Sequence, residues 1–201
     1  MNYQRLILCF LLVGLAGCAS YDRRLTSSTT QYLGSTGQVV AKPSSVGMVD
    51  TVSYWDGDGV PGSPSITIDL REQKAFFYKS GKLVGVSMIS SGREGYSTPA
   101  GNFKIIQKNK DHVSNLYGDY VDGAGNVVVS NVGVKRDPRP PGTKFRGAPM
   151  PYFMRIHGGV GMHAGFLPGF PASHGCIRMP ERMAEIFFAN VSHGTPVRVV
   201  N

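Results

Sequence analysis

The sequence predicts a mostly β domain with one helix. Apolar and polar residues alternate at Ile66, Ile68 and Leu70, which is the period of a half-buried strand. The chain has 26 glycines and a single tryptophan, a composition that favours many turns. Helical spacing of apolar residues occurs in one stretch, after Pro180. The apolar content of 41% is sufficient for a hydrophobic core.

Short apolar stretches separated by turn residues indicate the strands. Ser80-Gly81 marks one turn, and Asp122-Gly123-Ala124-Gly125-Asn126 predicts a hairpin. We predict strands at 66–70, 75–78, 83–89, 103–106, 127–129, 152–156, 160–163 and 197–200.

One helix is predicted over 180–190. Met183, Ile186, Phe187 and Asn190 fall on one face at helical spacing, and Pro180 suits the first turn. A Pro-rich loop is predicted over 137–150, because its proline cluster excludes a regular element. This loop lies either near the functional face or elsewhere on the surface.

The N-terminus predicts export. Arg5 is followed by an apolar run at 6–15 that is too short to span a bilayer comfortably. The ending Leu15-Ala16-Gly17-Cys18 resembles the bacterial lipobox, which implies that 1–17 is a lipoprotein signal peptide and that Cys18 is lipidated. An ordinary cleaved signal and an uncleaved anchor remain the alternatives. Ala19 favours the outer membrane, facing the periplasm, if the cell has one.

The segment 18–64 is predicted to be a lipidated cysteine followed by a flexible tether. It is rich in Ser, Thr and Gly and has no sustained helical or strand period, so it cannot bury enough apolar surface to fold. As a flexible coil it would reach on the order of 40 Å from its anchor. The folded domain is therefore predicted at 65–201.

The net charge of +8 is scattered along the chain. No helix–turn–helix, zinc-finger or RNA-binding aromatic pattern accompanies it, so no nucleic-acid partner is predicted. A basic exported domain can face an anionic envelope polymer or a carboxylate-bearing substrate. Plain solubility explains the charge equally well.

Cys176 is the residue that most strongly indicates chemistry. Of the three cysteines, Cys9 lies in the apolar run and Cys18 ends the processing signal, so Cys176 is the sole thiol of the predicted domain. His174 and Arg178 flank it at two residues on either side, and such neighbours lower a thiol pKa.

A cysteine nucleophile needs a base, and three histidines are close in sequence: His157, His163 and His174. Gly175 allows an unusual backbone angle or close approach of a substrate, and nearby backbone N–H groups could hold an oxyanion. Zinc sites usually present paired thiols and paired histidines at regular spacing. This cluster has one thiol and irregular spacing, so we predict no metal.

The run Ser173-His174-Gly175-Cys176-Ile177-Arg178 resembles the signature of the L,D-transpeptidase catalytic domain, the YkuD domain. Thr98-Pro99-Ala100-Gly101-Asn102-Phe103 and the closing Gly194-Thr195-Pro196-Val197 also resemble segments of that family. The resemblance covers about 65–200, the whole predicted domain. It implies a β-sandwich or barrel-like fold with one or few short helices, and a place in the bacterial cell envelope.

The resemblance also implies roles for the residues. Cys176 is the nucleophile and forms a thioester, His163 is the base, and Ser173, Gly175 and Arg178, with His174, support the site. His157 is the alternative base, because the interval from His163 to Ser173 is shorter than in many members. No cofactor is implied, and His112 is taken as a surface residue.

The resemblance implies transfer chemistry on peptidoglycan stem peptides. The cysteine attacks the bond before a terminal D-alanine, D-alanine leaves, and an amine acceptor resolves the thioester. Hydrolysis of the same thioester is the chemical alternative, by carboxypeptidase or linkage-cleaving activity. A peptidoglycan-binding lipoprotein without catalysis is the second alternative, and a sortase-like transpeptidase the third.

Overall fold

The computed structural model of the chain describes residues 50–201. The predicted signal peptide, Cys18 and the tether as far as residue 49 lie outside the described residues. Within 50–201 no helix is long and apolar enough to cross a membrane. The elements there are β1 (Tyr54–Trp55), β2 (Pro64–Asp69), β3 (Lys74–Lys79), β4 (Lys82–Met88), β5 (Gly101–Lys104), β6 (Gln107–Val121), β7 (Val127–Gly133), β8 (Lys144–His157), β9 (Val160–Ala164), β10 (Ile177–Met179), α1 (Glu181–Asn190) and β11 (Pro196–Val200).

These strands form two sheets. The first has the order β1-β4-β3-β2-β11-β5 and the second has the order β10-β9-β8-β6-β7. Most neighbours are antiparallel, whereas β11 pairs with β2, and β10 with β9, in parallel. The prediction of a mostly β, sandwich-like domain with one helix is confirmed.

Both sheets and the helix contribute to one core. Ile66 and Phe77 of the first sheet are buried together with Met162 of the second. Phe187 of α1 packs edge-on against Phe77, with ring centroids 4.9 Å apart. The helix begins directly after Pro180, as its spacing predicts, and it buries Met183, Ala184 and Phe187. Burial of these rings against β3 fixes the segment 177–190 on the body of the domain.

The folded domain begins earlier than the predicted boundary at residue 65. Tyr54–Trp55 pairs with β4, so the last part of the predicted tether belongs to the first sheet. The Trp55 ring packs edge-on against Phe77 at 5.1 Å, and its indole N–H donates to Asp58. The sequence did not predict this short strand, because its flanking residues are polar. The packing of the Trp55 ring holds it on the domain.

The Pro-rich loop is shorter than the predicted 137–150. The loop ends at Thr143, and Lys144–His157 forms the long strand β8. Between Lys144 and Phe153, β8 pairs with β6 on one side only. Its other side begins to pair with β9 at Met154. Pro149 and Pro151 therefore lie where one side of the strand is unpaired, which is where a residue without an N–H is tolerated.

Candidate active site

Cys176 lies at a tight turn that leads into β10. The preceding residue, Gly175, has φ of +105°, a backbone conformation that a side chain would strain. The Ser173 hydroxyl accepts the N–H of Gly175 at 3.0 Å and donates to the carbonyl oxygen of Cys176. Ser173 thus closes the turn that presents the thiol.

A second segment, 90–98, forms hydrogen bonds with this turn. The Thr98 hydroxyl donates to the carbonyl oxygen of Gly175 at 2.9 Å and accepts the N–H of Gly92 at 2.9 Å. The N–H of Arg93 donates to the carbonyl oxygen of Ser173 at 3.1 Å. A Cβ on Gly92 would lie 2.0 Å from the carbonyl oxygen of Tyr96, so glycine is required there. The Thr-Pro motif of the sequence therefore positions the cysteine turn.

His163 lies on β9 in parallel register with Arg178 of β10. Its ring is buried, and Nδ1 is 2.8 Å from the carbonyl oxygen of Ala164. Because a carbonyl only accepts hydrogen bonds, Nδ1 carries the proton and Nε2 keeps its lone pair. Burial, reinforced by the Arg178 charge, lowers the pKa of His163 to about 4. The hydrogen bond to the carbonyl oxygen of Ala164 acts in the opposite direction and raises the pKa. The imidazole is therefore neutral at neutral pH.

The Cys176 thiol is half-buried and donates to the carbonyl oxygen of Gly159, with Sγ and O 3.6 Å apart. Burial raises its pKa, although the N–H of Gly161 and the charges of Arg155 and Arg178 act in the opposite direction. The thiol is therefore protonated at neutral pH. Attack on a carbonyl then requires the thiol to turn from Gly159 to the base and to lose its proton during the reaction.

Cys176 is reached from two cavities. One has a volume of about 290 Å³, and it brings Cys176 together with His163, Arg178, Ser173 and His174. The other, of about 240 Å³, also contains Cys176 and His174 and is lined by His112, Ser114, Asn115, Leu116, Tyr117, Met150, Arg155, Gly159 and Val160. The two cavities share Ser114, Tyr117, Met150, His174 and Cys176, so they adjoin at the thiol.

Arg178 is half-buried in the larger of these two cavities. Its aliphatic stem lies against Gly165, where an added Cβ would lie 3.0 Å from Cγ of Arg178. Burial lowers the pKa of the guanidinium. The ion pairs recorded within residues 50–201 are Lys74–Glu72, Arg136–Asp137 and Arg146–Asp119, and none of them includes Arg178. Within the described residues, no carboxylate lines this cavity beside Arg178, although Asp119 and Arg178 both line an adjoining groove.

His174 is fixed between two tyrosines. Its ring stacks on Tyr117 with centroids 4.3 Å apart, and Tyr96 meets it edge-on at 4.6 Å. Arg93 Nη2 lies 2.8 Å from Nε2 of His174, and since the guanidinium only donates, Nε2 accepts. Burial and the charges of Arg93 and Arg178 lower the pKa of His174 to about 4. This histidine is a neutral, rigid part of the cavity wall.

The alternative base, His157, lies apart from this cavity. It ends β8 with an exposed side chain, and its ring is 5.3 Å from that of Phe103. His112, expected at the surface, is instead half-buried, stacks on Phe153 at 4.2 Å and lines the second cavity. Within residues 50–201, no three His, Cys, Asp or Glu side chains are grouped to hold a metal ion.

Sequence reasoning missed Arg93, Tyr96 and Tyr117. Arg93 and Tyr96 belong to a loop that carries no motif, and Tyr117 lies in a stretch of β6 without clear alternation. Arg93 and His174 are 81 residues apart, so no local pattern could link them. The signal available was the position of Arg93 and Tyr96 directly before Thr98-Pro99, which begins the segment that resembles the family.

A half-buried thiol shares one cavity with a buried neutral imidazole and with an arginine that forms no ion pair within residues 50–201, an arrangement suited to nucleophilic catalysis by cysteine. The model of the YkuD family, the L,D-transpeptidase catalytic domain, matches residues 63–199. The chain therefore belongs to this family. Among curated proteins none matches the sequence.

Solved structures have the same fold. An L,D-transpeptidase from Enterococcus faecium, determined as a cysteine-to-serine mutant, is 28% identical over 70% of this chain and 50% of that chain, with a TM-score of 0.50. The avibactam carbamoyl enzyme of Ldtfm is 28% identical over 69% of this chain and 49% of that chain, with a TM-score of 0.51. An L,D-transpeptidase from Mycobacterium smegmatis is 19% identical over 69% of this chain and 59% of that chain, with a TM-score of 0.53. This chain thus spans about half to three fifths of the length of these proteins.

Proposed function

We propose that this chain is an L,D-transpeptidase that acts on peptidoglycan stem peptides through a thioester on Cys176. The observation that carries the proposal is the cavity in which Cys176, His163 and Arg178 meet, within a chain of the YkuD family. The Ldtfm carbamoyl enzyme supports it further, because a relative 28% identical accepts a carbonyl group covalently.

The residues of the site have distinct tasks in acylation. His163 Nε2 takes the proton as Cys176 Sγ attacks the carbonyl carbon before the terminal D-alanine. The same imidazole returns the proton to the leaving nitrogen, so that D-alanine departs with a neutral amine and the thioester remains. The hydrogen bond to the carbonyl oxygen of Ala164 fixes the tautomer, so the neutral imidazole carries its lone pair on Nε2. This contact orients the base without a third charged residue.

The second half-reaction decides between transfer and hydrolysis. An amine that attacks the thioester gives a cross-link or an attached amino acid, whereas water gives a tripeptide. Two cavities meeting at Cys176 favour transfer, because one can hold the acyl chain while the other side admits the acceptor. Hydrolysis by the same site is the second candidate, since neither cavity is closed to water.

Mass spectrometry of defined tetrapeptide muropeptides, incubated with the full chain, tests this proposal. We expect dimers that lack one D-alanine, with one free D-alanine released for each thioester formed. Tripeptide monomers without dimers would favour the hydrolase. Unchanged tetrapeptides that still co-sediment with the protein would favour a binding lipoprotein and contradict an enzyme.

We also propose that the domain is held in the cell envelope through a lipid on Cys18, at the outer membrane facing the periplasm if the cell has one. The support is the Leu15-Ala16-Gly17-Cys18 sequence alone. Acyl chains on one residue would confer membrane binding through buried methylene groups. In cells fed a labelled fatty acid, we expect label on the wild-type protein and none on Cys18→Ala. Equal labelling of both proteins would contradict the anchor.

A further inference from the structure

The first sheet has an outer face, turned away from the second sheet, that carries an ordered row of side chains. Strand register aligns one residue from each strand of this sheet: Tyr54, Val86, Phe76, Thr67, Arg198 and Asn102. The chain neighbours of this row, such as Ile66 and Phe77, are buried in the shared core. Because successive side chains of a strand point to opposite faces, the row points away from the core.

One half of the outer face is aromatic and apolar. Tyr54 is exposed at the sheet edge, and Phe76 is half-buried on the other side of β4. Tyr78 and Leu83 pair with each other in the adjacent row, where Leu83 is 39% exposed. In the described part of the chain, α1 is the one helix, and it packs on β8 and β9 and meets the first sheet from the core side, at Phe77. No helix of residues 50–201 therefore covers the outer face.

The other half of the outer face is basic. Arg198 of β11 and Lys104 of β5 are both exposed, and Lys104 is two residues from Asn102, so it lies on the same face. The ion pairs recorded within residues 50–201 include neither of them. Lys74, also on this face, is already paired with Glu72. Among the described residues, two positive charges without an ion pair thus lie beside the aromatic half.

We propose that the outer face docks on the surface of an anionic phospholipid membrane, with its tyrosines at the level of the lipid headgroups and its basic side chains against the phosphates. Tyrosine favours that level because its ring is apolar and its hydroxyl is polar. A lysine or arginine near an anionic lipid surface contributes a factor of about five in affinity. The inference goes beyond the proposed acyl transfer, because it concerns where the domain is held rather than what it catalyses.

The chain enters the described domain at this face. Residue 50 is the first one described, and Tyr54 of the first strand belongs to the row itself. Treated as a flexible coil, the chain from the proposed lipid on Cys18 to Tyr54 would span on the order of 30 Å. An anchor on so short a link keeps the outer face at a high effective concentration next to lipid, so that a weak contact is sufficient to seat it. Lipid is therefore favoured over a glycan strand or a soluble protein as the occupant.

The catalytic cavity opens on the opposite side of the domain. In β9 and β10, Met162, Ile177 and Met179 are buried in the shared core. His163 and Arg178 alternate with them, so they point to the other face of the second sheet, where both line the cavity. A domain seated on its first sheet therefore turns the cavity away from the lipid and towards the proposed peptidoglycan substrate.

Vesicle co-sedimentation measures the docking. The full chain carries Cys18→Ala in every sample, so that no lipid anchor contributes, and the N-terminal apolar run is common to all samples. The vesicles contain either phosphatidylcholine alone or equal parts of phosphatidylcholine and phosphatidylglycerol. We expect tighter binding to the anionic vesicles, and we expect Lys104→Gln/Arg198→Gln to weaken that binding by about 10- to 30-fold, since each charge contributes a factor of about five. Added salt should weaken the binding of the unsubstituted face in the same direction.

A second double variant removes the same number of charges from the other sheet. Lys110 of β6 and Lys144 of β8 are exposed and lie outside the catalytic cavity. We expect Lys110→Gln/Lys144→Gln to retain its affinity for the anionic vesicles within about twofold, because charges more than a Debye length from the lipid are screened. All four substitutions are at exposed positions, so both variants should fold as the wild type does, which circular dichroism checks.

Quenching by brominated lipid reports the orientation. Trp55 is the natural tryptophan, and its ring packs on the core side against Phe77, so it gives a background common to all variants. Phe76→Trp places an indole on the outer face, whereas Val129→Trp places one on the exposed strand β7 of the second sheet. We expect bromine on the acyl chains to quench Phe76→Trp more strongly than Val129→Trp.

The outcomes separate this inference from the proposed function. Equal weakening by the two double variants, no preference for anionic vesicles, or equal quenching at both tryptophans overturns the docking face. Binding to isolated peptidoglycan sacculi but not to vesicles, weakened by Lys104→Gln/Arg198→Gln, overturns it as well and assigns the face to the wall polymer. None of these readouts depends on release of D-alanine or on labelling of Cys18, so failure of the proposed activity or of the proposed anchor is detected separately.

Discussion

Replacing Cys176 with alanine is expected to lower tetrapeptide turnover by about 10⁴-fold or more, because the covalent step has no other nucleophile. Cys176 is the thiol that shares a cavity with the buried imidazole of His163. Release of D-alanine, followed with a coupled assay, measures the loss. The intact-protein mass should show an acyl adduct on the wild type and none on Cys176→Ala.

Cys176→Ser is the matched control for this change. It keeps a side chain of similar shape and a hydrogen-bond donor for the carbonyl oxygen of Gly159, but an un-ionised hydroxyl is a much weaker nucleophile than a thiol. We expect Cys176→Ser to bind tetrapeptide as the wild type does and to turn it over almost as poorly as Cys176→Ala. Turnover retained in Cys176→Ala would rule out the thioester mechanism.

Local patterns account for most of the fold. Alternation predicted the strands because each has one face on the shared core, as with Ile66 and Ile68 of β2. The same rule failed for β6 and the first part of β8, which are longer than any alternating stretch in the sequence. Their pairing depends on close backbone contact at glycines such as Gly118, where a Cβ would lie 2.1 Å from the carbonyl oxygen of Arg146. A contact between distant residues leaves no local signature.

The site could be predicted where its residues share a strand or a motif. Cys176 and Arg178 were placed on one side by the two-residue period, and both line the larger cavity. Their proximity to His163 follows from the parallel pairing of β9 with β10, which no single segment reveals. The expectation that charged neighbours lower the pKa of the Cys176 thiol is wrong. Burial outweighs those charges and raises the pKa of Cys176, so the resting pair is neutral.

His163→Gln is expected to lower kcat/KM by about 10²- to 10⁴-fold, the range for loss of a positioned general base. A neutral thiol depends on this base more than a preformed thiolate would, because its proton must leave during the attack. Initial rates of D-alanine release measure the change. His157→Gln is the matched control: the side chain is exposed at the end of β8 and should be replaceable with little effect. A large loss in His157→Gln, with little change in His163→Gln, would identify His157 as the base.

The pH dependence of the wild type tests the same assignment without any mutation. The pKa of His163 is lowered to about 4, so the imidazole is already the free base at pH 6 and becomes protonated only in acid. We expect kcat/KM to be level from about pH 6 to 8 and to fall towards pH 4, in proportion to the neutral imidazole. Because burial raises the pKa of Cys176, thiolate does not accumulate within that interval. A rate that climbs with thiolate concentration between pH 6 and 8 would show that ionisation of the thiol precedes attack, and that His163 does not act as the base.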